Sequence, residues 1–168
     1  MLGLIPRFDL PFLAGVPITA QTLGVMLAGV VLGPRQGALA VLLFIAVVAL
    51  GAPLLAGGRG GLGVFYGPTV GFLVGWLPGV VATGLVFAWL RSVPTAVAGA
   101  VASVVGGILV IYACGIPVVA WKAGLPLSTA ALSSLAFLPG DLLKAVAVGL
   151  IAQGLPASAR FGAVPARA

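Results

Sequence analysis

Apolar residues run through this chain in long blocks, and charges or Pro/Gly clusters cut the blocks at intervals of about twenty residues. The first full block is Ile18 to about Gly33, closed by Gly33-Pro34-Arg35, and the second is 37–56, closed by Gly57-Gly58-Arg59-Gly60-Gly61. A third covers 68–90 and ends before Arg91 and Pro94; a fourth covers 95–116 and stops at Pro117. The run 128–137 is too short for a crossing and predicts an interfacial or re-entrant helix. The last block, 139–155, predicts a final transmembrane helix. Pro139 suits its first turn, where a missing N–H costs nothing, and Asp141 follows where the helix dipole favours a carboxylate.

Spacing within the blocks predicts how they pack. Gly67, Gly71, Gly75 and Gly79 recur every fourth residue, as do Gly29 and Gly33, and then Ala98, Ala102 and Gly106. Such stripes let helix backbones approach closely in lipid, and a wall of glycine also leaves room for a ligand. The N-terminus shows no signal-peptide pattern. Met1–Ile5 is apolar and then meets Pro6, Arg7 and Asp9, like the tail of a helix whose start is missing.

Composition turns these blocks into a membrane assignment. Only 6% of the 168 residues are charged and 62% are hydrophobic, against about a quarter charged in a soluble domain. Ten charges cannot cover a water-facing surface of this size, whereas an apolar exterior is what lipid requires. One all-α transmembrane domain over 1–168 is expected. The net charge of +6 comes from Lys and Arg residues placed singly, so they read as interfacial anchors and nucleic-acid binding is not expected. With the last helix ending inside, Arg35, Arg91, Arg160 and Arg167 face the cytoplasm and Arg7, Arg59 and Lys122 face outside, which predicts a cytoplasmic C-terminus.

The inventory also excludes most chemistry. There is no His, no Glu and one Cys, so neither a metal-ligand set nor a His-assisted nucleophile can be assembled, and neither cofactor nor metal is expected. Cys114 reads as a small core hydrophobe. Gly58-Arg59-Gly60-Gly61-Leu62-Gly63 matches a dinucleotide fingerprint formally, but no strand–turn–helix unit surrounds it. No ATPase phosphate loop is present.

What remains is sharp. Asp141 and Lys144 stand three apart, on one face of an otherwise Leu/Ala/Val helix, and intramembrane charges are costly and usually functional. They are either a mutual ion pair that orients the helix or a site for a ligand carrying N–H donors and an anionic group. The loop 57–68, with Gly58, Arg59, Gly61 and Tyr66, is either a lid over such a site or a plain connector. Thr19, Gln21 and Thr22 are ligand contacts or helix-start residues; Trp76, Trp89, Trp121 and Tyr112 read as core or lipid-interface aromatics.

The strings Val16-Pro17-Ile18-Thr19-Ala20-Gln21-Thr22-Leu23-Gly24-Val25, Gly33-Pro34-Arg35-Gln36-Gly37, Ala56-Gly57-Gly58-Arg59-Gly60-Gly61-Leu62-Gly63, Gly67-Pro68-Thr69 and Phe137-Leu138-Pro139-Gly140-Asp141-Leu142-Leu143-Lys144 resemble, in matching order, those of the BioY family. These are the biotin-specific S components of energy-coupling factor (ECF) transporters. The resemblance implies a six-helix bundle that binds biotin, partnered by a transmembrane subunit and two ATPase subunits that hydrolyse ATP, although some members are thought to work alone, and self-association is a further possibility. It implies that Asp141 receives the ureido N–H groups, that Lys144 receives the valerate carboxylate, and that the loop around Gly58–Tyr66 closes over the ligand. One departure stands out: of the family's first helix, only Met1–Ile5 matches the end, so either the start lies upstream or coupling to the module is in doubt. Two other readings stay open: an S component for another vitamin, and a structural membrane protein without a ligand.

Overall fold

The computed structural model describes residues 20–156 and 159–161. Thr19, the segment around Arg7 and Asp9, and Arg167 lie outside the described residues. Within them the fold is all-α: α1 (Gln21–Ala49), α2 (Val70–Trp89), α3 (Thr95–Ser103), α4 (Ile111–Ala123), α5 (Leu127–Leu135) and α6 (Leu138–Gly154), with a π-helical segment Val104–Val110 joining α3 to α4. Gln21–Ala49, Val70–Trp89 and Thr95–Ala123 are long and apolar enough to cross a membrane, and α5 with α6, bent by 52°, would make a fourth span. This is a multi-pass membrane protein.

The α1 helix is not straight. Gly33 takes φ 78° and ψ −176°, a conformation that glycine tolerates and other residues rarely adopt, and Pro34 follows it. A Cβ placed on Gly37 would lie 2.9 Å from the Ala28 carbonyl oxygen. In a straight helix residues nine apart are separated by ~13.5 Å. The chain therefore turns back at Gly33, and residues 21–32 and 34–49 are two arms of a hairpin. The second arm stops at Ala49, earlier than the apolar run suggests, because Gly51 takes φ 109° and Pro53 follows.

The α2 helix lies along this hairpin, with glycines on both sides letting the two approach closely. A Cβ on Gly84 would fall 2.5 Å from the Pro34 nitrogen, and one on Gly29 would meet the Thr83 side chain. On its other face, Gly71, Gly75 and Gly79 meet Val118, Cys114 and Ile111. The glycine stripe is thus spent on packing inside the bundle. Two apolar clusters result, one around Met26, Val30 and Val148, the other around Val48, Val80 and Ile111.

Helical periodicity predicts that the stripe Ala98, Ala102, Gly106 continues at Leu109 and Ala113, yet both of those are exposed. Burial instead follows Gly99, Ser103, Gly107, Ile111 and Gly115, a spacing of four held by the wider π turns. The register change brings Tyr112 inward. Pro117 does not end the helix either, since α4 continues to Ala123 and closes at Gly124 with φ 63°. Proline is tolerated there as in other membrane helices.

Candidate ligand site

The start of α6 carries the charges into the bundle. Leu138 opens the helix with Pro139 in its first turn, and Asp141 is only 3% exposed and Lys144 9%. Asp141 Oδ1 accepts from Lys144 Nζ at 2.8 Å and from Thr22 Oγ1 at 2.9 Å, while Oδ2 accepts from the Tyr112 hydroxyl at 2.7 Å. Lys144 Nζ also donates to Thr22 Oγ1 at 2.9 Å. Three elements, the first arm of α1, α4 and α6, therefore meet at one carboxylate. Phe72 of α2 packs edge-on against the Tyr112 ring, centroids 5.7 Å apart.

The donor count decides what this cluster can do. A lysine ammonium has three protons, and two are used here. A carboxylate offers about four lone-pair positions, and three are filled. Among the described residues one ammonium proton of Lys144 and one lone pair, on Asp141 Oδ2, remain without a partner at a buried site. Of the two readings of the pair from its spacing, the ion pair is present, Lys144 Nζ lying 2.8 Å from Asp141 Oδ1.

Tyr112 is the residue that sequence reasoning misses, having been read as a core or interface aromatic. Only the π-helical register change turns it toward Asp141. Replacing Tyr112 by phenylalanine removes one donor from a buried carboxylate. It is expected to cost about 1–3 kcal/mol of stability, as for other hydrogen bonds to charged groups; thermal unfolding in detergent measures this.

The loop residues occupy another position. Arg59 is exposed, and its Nε donates to the Ala56 carbonyl at 3.2 Å. Tyr66 is 81% exposed, and its backbone carbonyl accepts from Lys122 Nζ at 3.2 Å. Gly58 and Gly61 have φ of 68° and 78° with open space beyond their Cα atoms. None of these four residues hydrogen-bonds to Asp141 or Lys144. The loop base is anchored by the Gly61 N–H on the Val48 carbonyl at 2.7 Å, and by Leu55 paired with Arg59.

Gln21 makes no hydrogen bond to either charge. It lines a cavity of about 220 Å³ with Gly24, Val25, Ala28, Ala40, Val41, Phe44 and Trp76. Its Nε2 is buried without a hydrogen-bond partner among the described residues. Trp76 thus has a role in a cavity wall as well as in the core, whereas Trp89 and Trp121 are exposed. No group of three or more potential metal ligands occurs among the described residues.

Comparison with known proteins identifies the family. The model of the BioY family matches residues 1–161. The chain is 53% identical to the biotin transporter BioY of Rhodobacter capsulatus over 162 residues, covering 90% of this chain and 84% of that one. It is 48% identical to the biotin transporter BioY of Rhizobium etli over 172 residues, covering 99% and 90% respectively. A crystal structure of the S-component for biotin from an ECF-type ABC transporter superposes with a TM-score of 0.80 at 31% identity, covering 91% of this chain and 82% of that one. A membrane helix bundle with this charge cluster, the five motif strings in order and matches of this extent lead to one assignment: the chain belongs to the BioY family.

Proposed function

We propose that this protein binds biotin with high affinity and takes it up across the cytoplasmic membrane as the substrate-specific component of an ECF-type transporter. The observation that carries the reading is the buried Asp141–Lys144 pair with one donor and one acceptor position unused. Biotin supplies the complements, ureido N–H groups for Asp141 and a carboxylate for Lys144. Gln21 adds a buried amide on the neighbouring face of α1. The loop with Gly58, Arg59, Gly61 and Tyr66 covers the bound ligand by moving from its present exposed position, its glycines permitting the backbone change. Among the described groups none provides for ATP hydrolysis, so a transmembrane partner and two ATPase subunits supply the energy.

Orientation follows from the ends of the bundle. The Gly33 turn packs against Gly84 and Phe161, and Arg160 donates to Thr95 Oγ1 at 2.8 Å, which gathers Arg35, Arg91 and Arg160 at one end. Arg59 and Lys122 stand at the other, with the loop. An excess of arginine on short connections belongs on the cytoplasmic side, and the C-terminus lies there with it. The loop and the Asp141 cluster then open outward.

Isothermal titration of the purified protein tests the reading. Biotin is expected to bind with Kd on the order of nanomolar to micromolar, that is about −12 to −8 kcal/mol. Thiamine and riboflavin are expected not to compete. Absence of biotin binding, with displacement by neither vitamin, would return the chain to the class of structural membrane proteins.

A further inference from the structure

The π-helical segment Val104–Val110 amounts to one extra residue in an otherwise regular helix. Such segments are rare, bond each carbonyl to an N–H five residues on, and occur mostly at functional sites. A second irregularity marks its N-terminal edge. Thr83, Ser133 and Ser134 each donate a hydroxyl to the carbonyl four residues back, at 2.8 to 2.9 Å. Ser103 is wholly buried, yet its Oγ has no hydrogen-bond partner among the described residues. A spare donor thus stands where backbone groups would exchange partners if the extra residue were taken up.

The packing shows what such an exchange would do. The α3 helix is held where Gly99 meets Gly149 of α6. The face of α2 under α4 is Gly71, Gly75 and Gly79, which offers no side chain to block a turn of α4 about its axis. Relaxing the segment to a regular helix rotates α4 by about 100° and draws it along by about 1.5 Å. Each residue of α4 then takes the place of the one after it. Ile111 fills the place of Tyr112, so the core stays apolar, and Tyr112 swings to the exposed place of Ala113. Cys114 comes to the place of Gly115, where a Cβ meets the Phe72 ring at 2.5 Å, which makes the π register the resting one.

Two contacts of α4 break together in that rotation. Tyr112 donates to Asp141 Oδ2 at 2.7 Å, and near the other end of the helix Lys122 donates to the Tyr66 carbonyl of the loop at 3.2 Å. We propose that the π segment is a register gate: a one-residue relaxation of α4 withdraws Tyr112 from the carboxylate and Lys122 from the loop in a single step, and ligand enters and leaves in that state. The proposal rests on the biotin reading. Bound ligand needs Asp141 held in place, so it favours the register in which Tyr112 holds it.

Deleting Leu109 tests the gate. Leu109 lies in the π segment and is 60% exposed, so its loss removes the extra residue at little cost in packing and leaves Tyr112 and Lys122 where they are. With no second register available, biotin association and dissociation are both expected to slow tenfold or more, while Kd stays within about threefold of the unaltered protein. Unchanged rates overturn the gate. A second measurement uses Ala120→Cys in a Cys114→Ala background. Ala120 is 9% exposed, and relaxation carries it to the place of Trp121, which is 79% exposed. Biotin is expected to slow modification of that thiol by a water-soluble maleimide at least tenfold. Equal rates with and without biotin overturn the gate, and this measurement decides alone should the deletion variant not fold. Failure of the unaltered protein to bind biotin overturns the underlying reading instead.

Discussion

Asp141→Ala is expected to abolish measurable biotin binding, raising Kd by at least a hundredfold, and to lower the thermal stability of the protein. The first effect follows from the donor count: Asp141 supplies the remaining acceptor position, and it also holds Lys144 in place through a 2.8 Å bond. Loss of a charged hydrogen bond to ligand together with the misplaced ammonium is worth several kcal/mol, and each 1.4 kcal/mol is tenfold in affinity. The second effect follows from burial. Lys144 is 9% exposed, and removing one partner of a buried pair leaves an uncompensated charge, at a cost of about 3–5 kcal/mol. The two effects separate in a double variant. Asp141→Leu combined with Lys144→Met removes both charges, and such replacements by apolar residues are often neutral or stabilising. It is expected to regain the lost stability without regaining biotin binding. Recovery of binding in the double variant would mean that the pair is only a structural bridge.

That cluster was half legible in the sequence. Asp141 and Lys144 stood out because charge is rare in the chain, and their spacing of three fixed a common helix face. The partners did not stand out. Thr22 is an ordinary helix-start residue by composition, and Tyr112 is one aromatic among several; their convergence depends on which faces of α1 and α4 meet α6. For Tyr112 the obstacle was specific, because a regular helix extrapolated from Ala98 and Ala102 buries Leu109 and Ala113 instead. The π segment arises from tertiary packing of Gly106 and Gly107 against Thr83 and Met26, which no local pattern encodes. Similarly, Pro117 reads as a stop but sits inside a helix supported on both sides by its neighbours. The apolar blocks were plain because the lipid imposes them on every residue of a span. The small-residue stripes were plain too, and their use was settled only by contact: they join α2 to α1 and α4.

Gly106→Ala is expected to disrupt the junction of α2 with the π-helical segment. The Cβ would fall on the Thr83 hydroxyl, on the Gly79 carbonyl and on the Thr83 amide nitrogen at once. Two of these three are backbone atoms of α2, and the third is pinned, since Thr83 Oγ1 donates to the Gly79 carbonyl at 2.9 Å. No rotamer change relieves the overlap, so α2 and the π segment must separate, and overpacking of this kind costs about 1–3 kcal/mol or more. The consequence reaches the charges. Pushing the π segment away from α2 displaces Ile111 and Tyr112, and with Tyr112 the donor to Asp141 Oδ2. Loss of stability and loss of biotin affinity are therefore expected together, the first read by thermal unfolding in detergent and the second by titration. Gly154→Ala, at the end of α6 with nothing within 4 Å of the added atom and no left-handed backbone, is expected to change neither. If Gly106→Ala unfolded and bound biotin as the unaltered protein does, close backbone contact between α2 and the π segment would not be what holds Tyr112 against the carboxylate.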